Sequence, residues 1–82
     1  MAGAIIECVP NFSEGRRQDI IDKIVEPFRT TRGCYLFDHR ADADHNRLVV
    51  SLAGEPQAVQ NALLRSAEIA AAHIDMNSHQ GA

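Results

Sequence analysis

The nine residues "NRLVVSLAG", from Asn46 to Gly54, decide how the chain can fold. Their aliphatic run is long enough for the central strand of a sheet, and Gly54 ends it. Pro56 follows two residues later, and its fixed φ angle suits the first turn of a helix. No residue from Gln57 to Met76 breaks a helix. The stretch therefore predicts a strand that leads directly into a long helix.

The N-terminal half predicts two further strands. The run "AIIECV", Ala4 to Val9, is short, apolar and rich in β-branched residues, and Pro10 should end it because proline lacks a backbone N–H group. The second run, "GCYLFD", extends from Gly33 to Asp38 and has its glycine as a flexible entry. The acidic segment after it, "HRADADH", is predicted to be an exit loop.

A first helix is predicted between these two strands. Ser13 can cap it, and Pro27 should stop or kink it because proline removes one helical hydrogen bond. Both predicted helices have one apolar face. In the first helix this face consists of Ile20, Ile21, Ile24, Val25 and Phe28. In the second helix it consists of Val59, Ala62, Leu63, Ser66, Ala70 and Ile74.

The predicted element order is β-α-β-β-α, which indicates an α+β fold, a two-layer α/β sandwich. It is the ferredoxin-like β-α-β-β-α-β unit without its final strand. In the absence of that strand, the first or the third strand should keep an open edge beside an apolar face. We expect one domain, residues 1–82, cut short at its C-terminal end, which forms a dimer or exchanges strands if it folds alone.

The composition narrows the function classes. Eight Lys and Arg residues against eleven Asp and Glu residues leave no basic face for a nucleic-acid partner. No apolar run approaches the roughly 20 residues of a membrane span, and the first residues do not resemble an export signal. We therefore expect a cytoplasmic protein. Cys8 and Cys34 are interpreted as free thiols in the core, on adjacent strands.

Two polar stretches could carry chemistry. The loop "PNFSEGRR" precedes a helix, where free N–H groups and the charges of Arg16 and Arg17 could bind an anion, although a plain helix start with solvated arginines also explains it. "DHRADADHN" holds three carboxylates and two imidazoles. An EF-hand is excluded, because Ala43 and Val49 stand where its Gly and Glu are needed. An exposed polar loop, a substrate contact and a looser metal site remain open.

The segment "IIECVPNFSEGRR" resembles the start of the formiminotransferase N-terminal subdomain, as in glutamate formimidoyltransferase and formimidoyltransferase-cyclodeaminase. Its motif from Glu7 to Gly15 is long and has no gap. The similarity continues in order through "GCYLFD", "DHNRLVVSLAGEPQAV" and "AAAHIDMNSHQG". It therefore covers essentially the whole chain.

This resemblance implies transfer of a formimidoyl group between N-formimidoyl-L-glutamate and tetrahydrofolate, in histidine breakdown. It implies two ferredoxin-like subdomains with folate between them, a dimer, and no metal. The catalytic histidine of the family pattern would directly follow Ala82, so no catalytic residue lies within the chain, although His79 could assist. We therefore expect the chain alone to be inactive, with a C-terminal subdomain or a second copy as its partner.

The candidate contacts to substrate or folate are Asn11, Ser13, Arg16, Asp38 and Asn46. Asn11 ranks first because its side-chain amide both donates and accepts hydrogen bonds. The chain departs from the family pattern in two places. Arg40 stands where a second acidic residue is common, and Asn77 and Ser78 replace a basic pair, which reduces positive charge near the folate tail.

Two other interpretations remain. The chain could be a stand-alone relative that binds folate or a partner chain through its open edge, without catalysis. It could also be a small regulatory ligand-binding module that shares only the fold, although the length of "ECVPNFSEG" argues against this. A reading frame that continues with His-Pro-Arg and an apolar strand would favour the enzyme, and a stop codon would favour the stand-alone binder.

Overall fold

The sheet is built around one central strand. The computed structural model describes residues 4–74. Its strands are β1 (Ile6–Cys8), β2 (Asn11–Phe12), β3 (Cys34–Asp42) and β4 (Arg47–Gly54). Strand β3 pairs with one edge of β4 along its whole length, and β1 and β2 pair in succession with the other edge, all antiparallel. The predicted central position of this strand is confirmed.

Two helices, α1 (Gln18–Thr30) and α2 (Pro56–His73), cover one face of this sheet. The predicted apolar face of α1 is entirely buried, and the α2 stripe is buried or partly buried against the same core. The hydroxyl of Ser66 donates to the carbonyl of Ile24 at 2.8 Å and links the two helices. From β4 the core receives Leu48, Val50 and Leu52. The α+β, two-layer prediction is confirmed.

The first strand is shorter than predicted and continues after an interruption. It covers Ile6–Cys8, and pairing resumes at Asn11–Phe12. Pro10 therefore interrupts the edge strand instead of ending it. Proline lacks only the donor, and the carbonyl of Pro10 still accepts a hydrogen bond from the N–H of Val50 at 3.0 Å.

Helix α1 differs from the prediction at both ends. Its N-cap is Arg17, with no side-chain cap hydrogen bond, so the prediction that Ser13 caps it is wrong. The helix also runs through Pro27 to Thr30, where a stop or kink was expected. Pro27 and Phe28 are buried in the core. Burial of this last turn outweighs the one hydrogen bond that proline removes.

Strand β3 is longer than predicted, because most of the expected exit loop belongs to it. Gly33 has a φ of 88°, as a flexible entry requires, and the strand then extends to Asp42. Pairing with β4 continues from Asp38 opposite Ser51 as far as Asp42 opposite Arg47, after an irregularity near position 37. The polar residues are therefore an exposed strand end, which composition alone does not separate from a loop.

Helix α2 begins at Pro56, as predicted, and ends at His73. Ile74, which was predicted to be helical, is instead the C-cap with an extended backbone, and the predicted continuation over residues 75–76 lies outside the described residues. Between residues 4 and 74, neither helix has the length and apolarity needed to cross a membrane.

Of the first and third predicted strands, the first has an open edge, because the third, β4, is paired on both sides. Within residues 4–74 no strand pairs with the outer edge of β1 or β2. Beside this edge lies an apolar groove of about 630 Å³, here called the edge groove. It is lined chiefly by Ile6, Phe12, Val59, Leu63 and Leu64.

The two cysteines lie on opposite sides of β4, so their placement on adjacent strands is wrong. Both are free thiols, as predicted. Cys34 is buried, while Cys8 is half-buried. Burial, together with the nearby Cys8, raises the pKa of the Cys34 thiol. The Cys34 thiol is therefore protonated at neutral pH and acts as a core side chain.

Candidate functional site

The loop of residues 13–17, between β2 and α1, is organised by a buried carboxylate. Glu14 is 3% exposed. Its Oε2 accepts the backbone N–H groups of Arg16 at 3.1 Å and Arg17 at 2.9 Å. Its Oε1 accepts Nε of Arg17 at 2.7 Å and Nη2 at 2.6 Å. Burial opposes ionisation, but these bonds outweigh it and hold the pKa of Glu14 below its usual range.

The same loop lies against the turn that joins β3 to β4. The N–H of Gly15 donates to Oδ1 of Asn46 at 2.8 Å. A Cβ atom on Gly15 would lie 2.5 Å from both the backbone N and the backbone O of Arg47, so no larger residue fits there. Asn46 has a φ of 50°, in the left-handed region that asparagine tolerates. Asn46, a candidate ligand from the sequence, therefore contacts the loop.

Arg16, another candidate ligand, also holds this turn. Its Nε donates to the carbonyl of Ala43 at 2.7 Å, and its Nη2 donates to the carbonyl of Asp44 at 3.4 Å. The sequence suggested that Arg16 and Arg17 supply positive charge to an anion site. In the structure both guanidinium groups donate to oxygen atoms of the protein itself.

Two of the candidate ligands share the sheet face opposite the helices, here called the open face. Asn11 and Arg40 both pair with Val49, and Asp38 pairs with Ser51, so these side chains follow one another across the sheet. Asn11, Asp38 and Arg40 are all exposed. Nε of Arg40 donates to Oδ2 of Asp38 at 3.0 Å. The departure from the family pattern at position 40 therefore gives Asp38 a cationic partner.

Asn11 also lines a small cavity of about 240 Å³ between β2 and the end of α2, here called the α2-end cavity. The half-buried Ser13 lines it as well, so two candidate residues border the same cavity. The side-chain amide of Asn11 donates to the carbonyl of Val9 at 3.3 Å. The cavity residues are Asn11, Phe12, Ser13, Ala70, Ala71 and Ile74.

Sequence reasoning missed Glu14 as a functional candidate, and it suggested Arg17 only as a positive charge for an anion site. Arg17 joins the buried Glu14 to the carbonyl of His73, which its Nη2 reaches at 2.8 Å. The signal was the spacing of an acidic and a basic residue three positions apart. That spacing is ordinary on a helix, and it did not indicate that position 14 would be buried in a loop.

Hydrogen bonds among its own residues hold the turn of residues 42–45, which carries His45. Asp42 Oδ2 lies 2.7 Å from Nδ1 of His45, and its Oδ1 accepts the N–H groups of Asp44 at 3.0 Å and His45 at 3.2 Å. These hydrogen bonds, the one to the His45 side chain above all, hold the pKa of Asp42 below its usual range. In the part of the chain that the structure describes, no three His, Cys, Asp or Glu side chains are placed to hold a metal ion.

The structure thus separates the candidates into two groups. Asn11, Ser13 and Asp38 border the open face or the α2-end cavity, where their donors and acceptors can orient a substrate. Arg16 and Asn46 hold the loop and the hairpin turn together. His79, the possible auxiliary residue, lies outside the described residues.

Comparison with known proteins identifies the family. Residues 5–82 match the model of the formiminotransferase domain, N-terminal subdomain. Glutamate formimidoyltransferase of Streptococcus pyogenes serotype M1 is 43% identical over 77 residues, which cover 94% of this chain and 26% of that protein. Formimidoyltransferase-cyclodeaminase of Rattus norvegicus is also 43% identical over 77 residues, 94% of this chain and 14% of that protein.

A more distant relative shows the same partial coverage. Glutamate formimidoyltransferase of Thermoplasma acidophilum is 33% identical over 78 residues, which cover 95% of this chain and 26% of that protein. The chain therefore spans about a quarter or less of the length of these relatives. Since the family match covers nearly all of the described residues and the predicted topology is observed, the chain belongs to the formiminotransferase N-terminal subdomain family.

Proposed function

We propose that this chain is the N-terminal part of a glutamate formimidoyltransferase. The enzyme moves a formimidoyl group between N-formimidoyl-L-glutamate and tetrahydrofolate, the co-substrate, in histidine breakdown. Proteins that carry this activity in their names are 43% identical to the chain. Within the chain, the supporting observation is the position of Asn11, which lies on the open face and also lines the α2-end cavity.

The proposed transfer passes through a tetrahedral adduct. The folate amine attacks the formimidoyl carbon, the bond from that carbon to the glutamate nitrogen breaks, and a proton moves from the folate nitrogen to the glutamate nitrogen. Most of what the described residues can contribute is orientation of the two substrates. Asn11 offers both a donor and an acceptor, Ser13 a hydroxyl group, and Asp38 a carboxylate.

In this proposal Arg16 and Asn46 do not contact substrate. They affect the reaction by holding the loop of residues 13–17 against the hairpin turn. Arg16 is bonded to the hairpin turn, and Asn46 Oδ1 accepts the N–H of Gly15. Both contacts fix the chain that follows Asn11 and Ser13. A side chain that holds the binding loop in place keeps its ligands within the small tolerance that transfer chemistry allows.

The acid and base of the reaction are expected elsewhere in the full-length protein. The family pattern puts the catalytic histidine directly after Ala82, with His79 as a possible auxiliary, so the 82-residue chain alone is proposed to be inactive. A C-terminal formiminotransferase subdomain or a second copy would cover the open face, with folate between the two, in a cytoplasmic dimer. No step of this mechanism requires a metal.

Replacing Asn11 by Ala in the full-length protein tests this proposal. Formimidoyl transfer to tetrahydrofolate is measured in wild type and variant. We expect kcat/KM to fall at least tenfold, about 1.4 kcal/mol, because the substrate loses a donor and an acceptor. Asn61→Ala is the matched control, since Asn61 is exposed on α2 and bonds Gln57. An Asn11→Ala value within about twofold of wild type would contradict the assignment of Asn11.

A stand-alone binding module of the same fold is the second candidate function. It is favoured by the edge groove and by the outer edge of β1, with which no strand within residues 4–74 pairs, because the two together could accept a strand from another chain. The two functions differ in one measurement. Formimidoyl transfer by the full-length protein supports the enzyme, whereas tetrahydrofolate or strand binding without any transfer supports the module.

A further inference from the structure

A single guanidinium group connects two parts of the molecule that lie 56 positions apart in the chain. Arg17 donates from Nη2 to the carbonyl of His73 at 2.8 Å. The same group bonds Oε1 of Glu14 through Nε at 2.7 Å and through Nη2 at 2.6 Å. Because Glu14 belongs to the loop of residues 13–17 and His73 is the last residue of α2, Arg17 bridges the loop and the helix end.

The loop side of this bridge is held by several contacts. The carboxylate of Glu14 is buried and also accepts two backbone N–H groups. The next residue, Gly15, touches the hairpin backbone so closely that a Cβ atom has no room. The carboxylate that holds Arg17 is therefore fixed relative to the sheet.

On the helix side, Arg17 contacts the carbonyl group of His73, which has no hydrogen-bond donor within the helix. Carbonyl groups in the last turn of an α-helix have no intrahelical donor. The bond from Arg17 satisfies the carbonyl of His73, directly before the residue where the chain leaves α2. Ile74 still donates its N–H to the carbonyl of Ala70 at 2.8 Å. Arg17 thus holds the helix end at the point of exit.

The α2-end cavity lies between these two sides. One wall carries Asn11 and Ser13, and the other carries Ala70, Ala71 and Ile74 from α2. Ser13 directly precedes Glu14, and Ile74 directly follows His73, so the Arg17 bridge joins the chain next to both walls.

We propose that Arg17, anchored by Glu14, is a positioning residue for the transfer reaction. It sets the width of the α2-end cavity and the position at which the chain leaves α2 at Ile74. The inference rests on the proposed function, because it requires that Asn11 and Ser13 contact substrate across this cavity. A displacement of about 1 Å between groups that orient reacting atoms can reduce the rate about 100-fold.

Arg17→Lys in the full-length protein is the decisive variant. Lysine keeps the positive charge, but it lacks the Nε donor to Glu14. Its ammonium group also stands one bond short of the Nη2 position from which Arg17 contacts both Glu14 and His73. We expect kcat to fall about tenfold or more while KM for each substrate stays within about threefold, because orientation and not affinity is lost. Arg17→Met, which removes all donors, should lower kcat at least as much.

Amide hydrogen exchange provides a readout that does not depend on turnover. The N–H of Ile74 should exchange about tenfold faster in Arg17→Lys, because the last turn of α2 opens more easily. Arg65→Lys is the matched control. Arg65 also lies on the surface and also makes a long-range hydrogen bond, to Thr31 Oγ1 at 3.2 Å, but it does not touch the cavity. It should change neither kcat nor the exchange of Ile74.

The outcomes separate this inference from the proposed function. Wild-type protein without any formimidoyl transfer refutes the proposed function, and unchanged exchange at Ile74 in Arg17→Lys then overturns the bridge as well. With transfer present, a wild-type kcat in Arg17→Lys overturns the positioning role. So does a variant with a lower melting temperature but a normal kcat measured well below it, since that pattern shows a purely structural contact.

Discussion

The loop of residues 13–17 and the edge groove differ in how completely the chain itself closes them. Polar contacts close the loop. Glu14 is 3% exposed and its carboxylate is hydrogen-bonded to Arg16 and Arg17, and Gly15 touches the hairpin backbone. The edge groove is apolar and open, and Ile6 and Leu64 on its walls are 36% and 57% exposed. Contacts among the described residues therefore fix the conformation of the loop, while the groove leaves an apolar surface that a further strand or chain could cover.

The difference predicts opposite responses to substitution. Buried hydrogen-bonded groups and backbone contacts have no alternative arrangement, so a small change in the loop should destabilise the fold strongly. A polar substitution in an exposed apolar wall should change the free energy of unfolding little, because the side chain already contacts water and few packing contacts are removed. Substitutions in the two regions test whether the contrast is real.

The largest effect is expected for Gly15→Ala. The new Cβ atom would collide with backbone atoms of Arg47 and Asp42, which cannot rotate away as a side chain can. We expect the free energy of unfolding to fall by about 3 kcal/mol, at the upper end for overpacking. Urea denaturation of the purified protein measures this change.

Gly33→Ala is the control for a general glycine effect. Gly33 has a φ of 88°, and its added Cβ would meet the Ala58 Cβ atom and a Glu55 side-chain oxygen at 3.1 Å each. Its cost should be smaller, about 1 to 2 kcal/mol, and should arise mainly from the left-handed backbone. If Gly15→Ala cost no more than Gly33→Ala, the loop would be less tightly fixed than the structure indicates.

A smaller loss is expected for Glu14→Gln. The amide keeps the volume of the carboxyl group but loses the charge that accepts bonds from Arg17 and from the backbone of Arg16. Hydrogen bonds to charged groups typically contribute about 2 kcal/mol, which is the loss expected at neutral pH. Glu26→Gln is the control, because Glu26 is exposed and 3.7 Å from Arg29. It should change stability by less than about 0.5 kcal/mol.

The stability difference between wild type and Glu14→Gln depends on pH, and its direction follows from the pKa of Glu14. The folded-state pKa of Glu14 is lowered, so its ionised form stabilises the fold above the ordinary glutamate pKa of about 4.3. This contribution is lost as the pH falls from that value through the folded-state pKa. The stability difference between wild type and Glu14→Gln should therefore shrink in this range. Asp42 is present in both proteins, so its own lowered pKa cancels. A constant difference would contradict the role of the ionised form.

The sequence was sufficient for the elements with strong apolar patterns. The central strand, both helices and their buried faces follow from side-chain periodicity, which burial enforces directly. It was insufficient where a polar residue serves a tertiary contact. Residues 39–42 lie in a strand although their composition predicts a loop, and Ser13 precedes a helix that starts later than predicted. In both cases pairing with β4 or contact with the hairpin overrides the local preference.

The candidate site was predictable in part for the same reason. Asn11 and Ser13 were found because the family motif and their side-chain chemistry single them out, and the structure brings them to one cavity. Glu14 was not found and the bridging contact of Arg17 was not predicted, because both depend on a carbonyl at position 73, far along the chain. No local pattern contains that contact. Only the packing of α2 beside the loop creates it.

Leu64→Gln should have the smallest effect on stability and a clear effect on association. Leu64 is 57% exposed, so the free energy of unfolding should change by less than about 0.5 kcal/mol. If the edge groove is the surface that covers the open edge in a dimer, the polar side chain should weaken self-association, which light scattering across a dilution series measures.

Leu52→Ala provides the contrast, since Leu52 is 1% exposed and its truncation should lower the free energy of unfolding by about 3 kcal/mol. Unchanged association in Leu64→Gln would place the dimer contact away from the groove, and the open face would then be the surface to test, since Tyr35 and Phe37 are also largely exposed.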